Sequence, residues 1–92
     1  MTKSEFRRDL EEDLKDPEFR AAWDEADTEY QIQKALISAR EERNMTQQQL
    51  AEATGINQRV ISRIESGNSN PTVKTLLRLA KGLNKKLDLR FE

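Results

Sequence analysis

Residues Thr46 to Gly67 read TQQQLAEATGINQRVISRIESG, and their order decides how the chain folds. Thr46 is placed to cap a helix, with Gln49 three residues on to return the bond, which satisfies two otherwise orphaned N–H groups. Leu50, Ala51 and Ala53 follow, and Ala51 is small enough for a second helix to cross close by. Gly55 suits a turn that needs positive φ, since no Cβ opposes it. Ile56 then turns inward, and Asn57 is a good N-cap for a second helix over 57–66. Ile56 and Ile61 are spaced as the hydrophobic staple of that helix. Ile61 and Ile64, three apart, share one face. The opposite face carries Gln58, Arg59, Ser62 and Arg63. Amide, guanidinium and hydroxyl groups on one exposed helix face are the groups that read base edges and grip phosphates.

Working outward, the sequence before this stretch offers a third helix. Thr28-Glu29-Tyr30-Gln31 repeats the T-x-x-Q pattern, which predicts a helix start and a helix over 29–43. The other reading is one bent helix running through from Pro17. Tyr30, Leu36, Ile37 and Arg40 lie around one side, and Asn44 stands at the end, where a left-handed residue is wanted. After Gly67, Asn68-Ser69-Asn70-Pro71 is a loop by composition. Thr72 caps the next helix, with Val73, Leu76, Leu77, Leu79, Ala80 and Leu83 expected inward and Gly82 and Asn84 at its end.

Both ends of the chain depart from this pattern. In the tail, Leu87, Leu89 and Phe91 alternate with Asp88, Arg90 and Glu92, a period of two that predicts a β-strand over 85–92. A lone strand leaves its backbone groups unpaired. The expected partner is therefore a second copy of the chain, giving a homodimer through Leu87, Leu89 and Phe91; extension of the last helix, or fraying, is the other reading. At the N-terminus, residues 4–15 place Phe6, Leu10 and Leu14 every four residues on an otherwise charged helix. Asp16-Pro17 then marks a helix start, followed by Phe19, Ala22, Trp23 and Ala26 on one face. So thin a stripe is marginal as an isolated helix in water, so residues 1–28 are expected to dock on something: their own domain, a dimer mate, or another protein.

Composition bounds the chemistry. The 92 residues contain neither histidine nor cysteine, which removes the usual general base, the usual metal ligands and any disulfide. No G-x-S-x-G or phosphate-binding loop is present, so neither an enzyme nor a cofactor or metal site is expected. The acidic run Asp24, Glu25, Asp27, Glu29 reads as a solvated face. No apolar run approaches a membrane span, and the first residues lack a signal-peptide core; a soluble cytoplasmic protein is expected. The net charge of −1 conceals an asymmetry. Residues 1–29 hold eleven acidic and five basic side chains, a balance of −6, whereas residues 30–92 hold eleven basic and six acidic, a balance of +5. The second half suits nucleic acid, and the first suits a basic protein.

Thr46-Gln47, Leu50-Ala51, Gly55-Ile56, Ile61-Ser62-Arg63-Ile64-Glu65, Gly67 and Asn70-Pro71-Thr72 together resemble the helix-turn-helix of the Cro/phage-repressor (Xre) class, over roughly residues 30 to 84. The resemblance implies an all-α, five-helix DNA-binding domain over 29–84, to which the flanking residues add the N-terminal helical extension over 1–28 and the short dimerising strand over 85–92. It implies that the helix at 57–66 enters the major groove of a palindromic operator. Gln47, Asn57, Gln58, Arg59, Ser62, Arg63 and Asn68 are the expected DNA-binding residues: Gln58 and Arg59 at bases, Ser62 and Arg63 one turn on, and Gln47 and Asn68 at phosphates. Val60 suits a thymine methyl or the core equally. The class also implies a structural ion pair between Arg40 and Glu65.

The preceding segment, with Leu14, Asp16-Pro17-Glu18-Phe19-Arg20-Ala21, Trp23, Glu29-Tyr30 and Ile32, is similar to HigA-type antitoxins of bacterial toxin–antitoxin operons. Many members carry proline where Thr28 stands. Such an antitoxin binds and neutralises a small basic RelE/HigB-like ribonuclease and represses its own operon. Phe6, Leu10, Leu14, Phe19 and Trp23 are then the expected toxin-binding residues. The alternative is a stand-alone Xre-family repressor, in which residues 1–29 assist dimerisation only.

Overall fold

The structure, a computed structural model, describes residues 3–92, with side chains described from Glu5 onward. Five helices follow in order: α1 (Lys3–Asp13), α2 (Pro17–Glu42), α3 (Gln47–Thr54), α4 (Gln58–Ser66) and α5 (Val73–Gly82). The chain divides into two units, Met1–Tyr30 and Gln31–Glu92, and the division falls within α2.

In the first unit α1 ends where the Lys15 and Asp16 N–H groups turn back onto the carbonyls of Glu12 and Asp13. Asp16 then opens α2: its side chain accepts from the Glu18 N–H at 3.0 Å, and its carbonyl accepts from Arg20. Pro17 sits at the first helical position, where its missing N–H costs nothing. The helix does not restart at Thr28. The Thr28 hydroxyl instead donates to the Asp24 carbonyl one turn back, at 3.0 Å. No glycine or proline interrupts residues 18–42, so the helical ladder continues through the second capping-type signature.

The second unit holds the core, made of Leu36, Leu50, Ile56, Ile61, Ile64, Leu79 and Leu83, with Ile32, Ala39, Met45 and Ala51 packed against it. Leu50 and Ile61 are fully buried. α3 packs against both α4 and α5. Asn44, in the left-handed region at φ 54°, ends α2. The Thr46–Gln49 capping box then starts α3, with both bonds made. Gly55, at φ 71°, closes α3 and returns its N–H to the Ala51 carbonyl, a left-handed cap that glycine adopts without steric cost.

Val73 and Leu77, expected on the inward face of the last helix, are exposed, as is Tyr30. On α5 the core takes Leu79 fully and Leu76 and Ala80 partly, and Leu83, the residue that caps the helix, is buried as well. Val73 and Leu77 are four apart and lie on the flank of that stripe.

The expected β-strand over 85–92 is not there: the described residues contain helices and no strand. A strand needs a ladder partner, and no other segment of the chain supplies one. The backbone leaves α5 through Asn84, again left-handed at φ 54°, and the Lys85 N–H bonds the Ala80 carbonyl at 2.9 Å. Arg43 clamps this exit, donating Nε to the Leu83 carbonyl at 2.9 Å and Nη2 to the Asn84 carbonyl at 3.0 Å. Beyond it Leu87 is half-buried, and Leu89 and Phe91 are exposed. A dimer built on strand pairing by Leu87, Leu89 and Phe91 therefore has no basis in this fold.

Candidate nucleic-acid interface

α4 is held by its apolar side and displays its polar side. Ile61 and Ile64 are buried, whereas Gln58, Arg59, Ser62 and Arg63 are exposed on the opposite face. Val60, at 37% exposed, belongs with the surface. The helix starts sharply because the Asn57 side-chain oxygen accepts the Arg59 N–H at 2.8 Å. Asn57 is thus engaged by its oxygen in the cap that fixes where Gln58 and Arg59 stand. At the other end Gly67, at φ 81°, gives its N–H to the Arg63 and Ile64 carbonyls. Asn68 donates its N–H to the Arg63 carbonyl and its side-chain amide to Ser66 Oγ at 3.3 Å. It is exposed, and it serves the α4 terminus first.

A polar cluster ties α4 to its neighbours. Arg40 on α2 donates Nε to Glu65 Oε2 at 3.0 Å and Nη2 to Glu65 Oε1 at 2.9 Å, a fork-on-fork pair, and gives Nη1 to the Met45 carbonyl at 2.9 Å. The side chains are 17% and 6% exposed. The Glu65 carboxylate beside it, through that hydrogen bond, raises the Arg40 pKa further above its already high ordinary value, so the guanidinium is charged at every working pH. Gln47, half-buried in the first turn of α3, adds a third donor: its Nε2 reaches Glu65 Oε1 at 3.3 Å.

Arg78 was not singled out in the sequence, yet it holds the turn between α3 and α4. Its Nη2 donates to the Thr54 carbonyl at 2.9 Å, and it lies so close over Gly55 that an added Cβ would come within 3.3 Å of it. A cation at the last carbonyls of a helix also complements the helix dipole. The only sequence signal for it was an arginine on α5 one residue before the buried Leu79. Lys85 meets Glu42 in an ion pair between the exit of α5 and the end of α2. Arg43, Arg78 and Lys85 are thus engaged within the domain, while Arg59 and Arg63 face solvent on α4.

In the first unit Phe6 is 57% exposed, Phe19 36% and Trp23 42%, with Leu10 and Leu14 half-buried. The Phe19 and Trp23 rings stack, with centroids 6.4 Å apart and planes inclined by 21°. No cluster of acidic side chains among the described residues is arranged to hold a metal ion. None of the described helices is long and apolar enough to cross a membrane.

Two short helices joined by a glycine turn, the second displaying a polar face, define a helix-turn-helix DNA-binding unit. The helix-turn-helix family matches this chain over residues 36–89, and the chain belongs to that family, as a transcription regulator of the Xre type. An uncharacterised HTH-type transcriptional regulator of Haemophilus influenzae is 33% identical over 88 residues, covering 94% of this chain and 81% of that protein. The HTH-type transcriptional regulator SutR of Escherichia coli is 40% identical over 53 residues, 58% of this chain and 30% of that protein. Antitoxin HigA1 of Mycobacterium tuberculosis is 31% identical over 77 residues, 84% of this chain and 52% of that protein. The chain therefore spans about a third and about half of the last two. No solved structure matches it significantly.

Proposed function

We propose that this chain is an antitoxin-type repressor. Its second unit binds its own operator through α4, and its acidic first unit captures a small basic ribonuclease of the RelE/HigB kind. The observation that carries this reading is the division of surface chemistry between the units. Exposed Gln58, Arg59, Ser62 and Arg63 stand on a helix anchored by Ile61 and Ile64. Exposed Phe6, Phe19 and Trp23 stand instead in a segment carrying eleven acidic residues. Arg59 pairs with guanine and Gln58 with adenine, each good pair giving roughly 1–3 kcal/mol of discrimination. Ser62 and Arg63 serve bases or flanking phosphates, and Gln47 and Asn68 phosphates. The antitoxin relative supports the partner, since the similarity covers 84% of this chain and so reaches into the acidic segment.

A second reading keeps the operator and drops the toxin. The Haemophilus protein, similar over 94% of this chain, is named only as a transcriptional regulator. The test is to read the neighbouring open reading frame and co-purify the two products. A small basic neighbour that copurifies and is toxic alone establishes the antitoxin; removal of residues 1–28 should then abolish the complex and leave operator binding. No such neighbour, with tight operator binding by this chain alone, leaves a plain regulator. For the DNA arm, Arg59→Ala should relax base preference at one operator position in a site-selection experiment, and unchanged preference refutes the groove assignment of α4.

A further inference from the structure

Glu65 is nearly buried and gathers three donors from two other helices: two from Arg40 on α2 and one from Gln47 on α3. The third bond has a consequence for DNA. An amide side chain can turn either its oxygen or its NH2 toward a neighbour, but a carboxylate only accepts. Glu65 therefore forces the Gln47 amide to present nitrogen, and one of its two N–H groups is held at Oε1, at 3.3 Å. The second N–H is the donor left for a phosphate oxygen. Arg40, bound by both Nε and Nη2, neutralises the Glu65 charge that would otherwise repel that phosphate.

We propose that Glu65 is a positioning residue for operator binding: through its hydrogen bond it orients the Gln47 amide to grip a DNA phosphate, and Arg40 keeps that arrangement electrically neutral. This rests on the operator-binding reading above and assigns to the ion pair a role beyond holding α2 to α4.

The test is a double-mutant cycle on operator affinity with Gln47→Ala, Glu65→Gln and the double variant, using an operator selected from random DNA, at a temperature where circular dichroism shows all four proteins folded. Gln47→Ala should weaken binding roughly tenfold, the size of one hydrogen bond to a charged group. Glu65→Gln should weaken it several-fold when Gln47 is present and hardly at all when it is absent. A loss from Glu65→Gln that is the same with or without Gln47 overturns the proposal, because a merely structural ion pair would act in both backgrounds. Should Glu65→Gln fail to fold, the wild-type protein still decides the matter. The two Gln47 side-chain amide protons should be widely split in a nitrogen–proton correlation spectrum, and operator should move chiefly the proton not bonded to Glu65; averaged amide signals that ignore operator overturn it. If Arg59→Ala leaves site preference intact, the groove reading itself fails. If that preference changes while the cycle is additive, only the role of Glu65 falls.

Discussion

Glu65 sits 6% exposed, with Arg40 on one side and Gln47 on the other. Removing one member of a fully buried pair costs about 3–5 kcal/mol; this pair is part-buried, with the Arg40 side chain 17% exposed, so the cost is smaller. Glu65→Ala should therefore lower the urea midpoint clearly, by less than that limit. Replacing both charges together, as Arg40→Met with Glu65→Leu, should cost much less than either single change, since well-packed apolar residues substitute for a buried pair at little net cost. Additive losses in urea unfolding would mean that the pair is solvated enough to act as a surface contact. Residue spacing alone says nothing of this pair, because 25 positions separate its members; the resemblance to the Xre class is what suggested it. The Gln47–Glu65 bond had no signal in the sequence. A glutamine in the first turn of a helix reads as solvent-facing until the neighbouring helix is placed over it.

At the scale of elements, the end of α2 and the exit of α5 are joined by Arg43 and by the Glu42–Lys85 pair. The hydrogen bond from Lys85 is the largest cause holding the Glu42 carboxyl below the ordinary glutamate range. A depressed carboxyl contributes stability that is present above the unfolded value of about 4.3 and is lost as pH falls through the folded value. Glu42→Gln should therefore lower the urea midpoint slightly at pH 7, where the exposed pair is formed, and converge with the parent protein below about pH 4, which flattens part of the acid decline. An unaltered acid limb would place that decline on other carboxylates. Deleting residues 88–92 should leave the thermal midpoint within a few degrees, because Leu89 and Phe91 bury little; a large drop would reveal packing by the tail. The two T-x-x-Q signatures show what was legible and what was not. At Thr46 the box starts α3 because Asn44, in the left-handed region, has already broken the preceding helix. At Thr28 the same four-residue pattern starts nothing, because Ala26 and Asp27 continue the helix and the hydroxyl bonds backward. Capping residues satisfy a helix end that something else has created. The tail misled for a related reason: alternation states which side chains share a face, but a strand also needs a neighbour. The core of α3 to α5 was legible because Ile61 with Ile64 and Leu79 with Leu83 follow helical spacing, Ile56 follows the turn as a staple to Ile61, and these and Leu50 are all buried.

For the whole molecule, the unequal distribution of burial sets a final expectation. Each buried residue among those described lies in Gln31–Glu92, and the first unit contributes only half-buried Leu10, Leu14 and Glu29. An isolated helix of 11 residues is marginal in water whatever its composition, because nucleation is costly and tertiary packing supplies most helical stability. The first unit gains order chiefly from what covers its apolar stripe, and the eleven acidic residues it carries favour a positively charged cover. A peptide of residues 1–30 should therefore show weak helical circular dichroism alone at pH 7 and 25 °C, and gain helix when a basic partner is added. Residues 31–92 should keep a single cooperative thermal transition close to that of the full chain, since they retain the entire described core. A peptide strongly helical by itself would show that the ordering of this unit is intrinsic, and the case for a partner would then rest on Phe6, Phe19 and Trp23 alone. A noncooperative 31–92 fragment would show instead that the acidic unit contributes to the fold of the DNA-binding unit, which would move its role from capture of a partner to support of the domain.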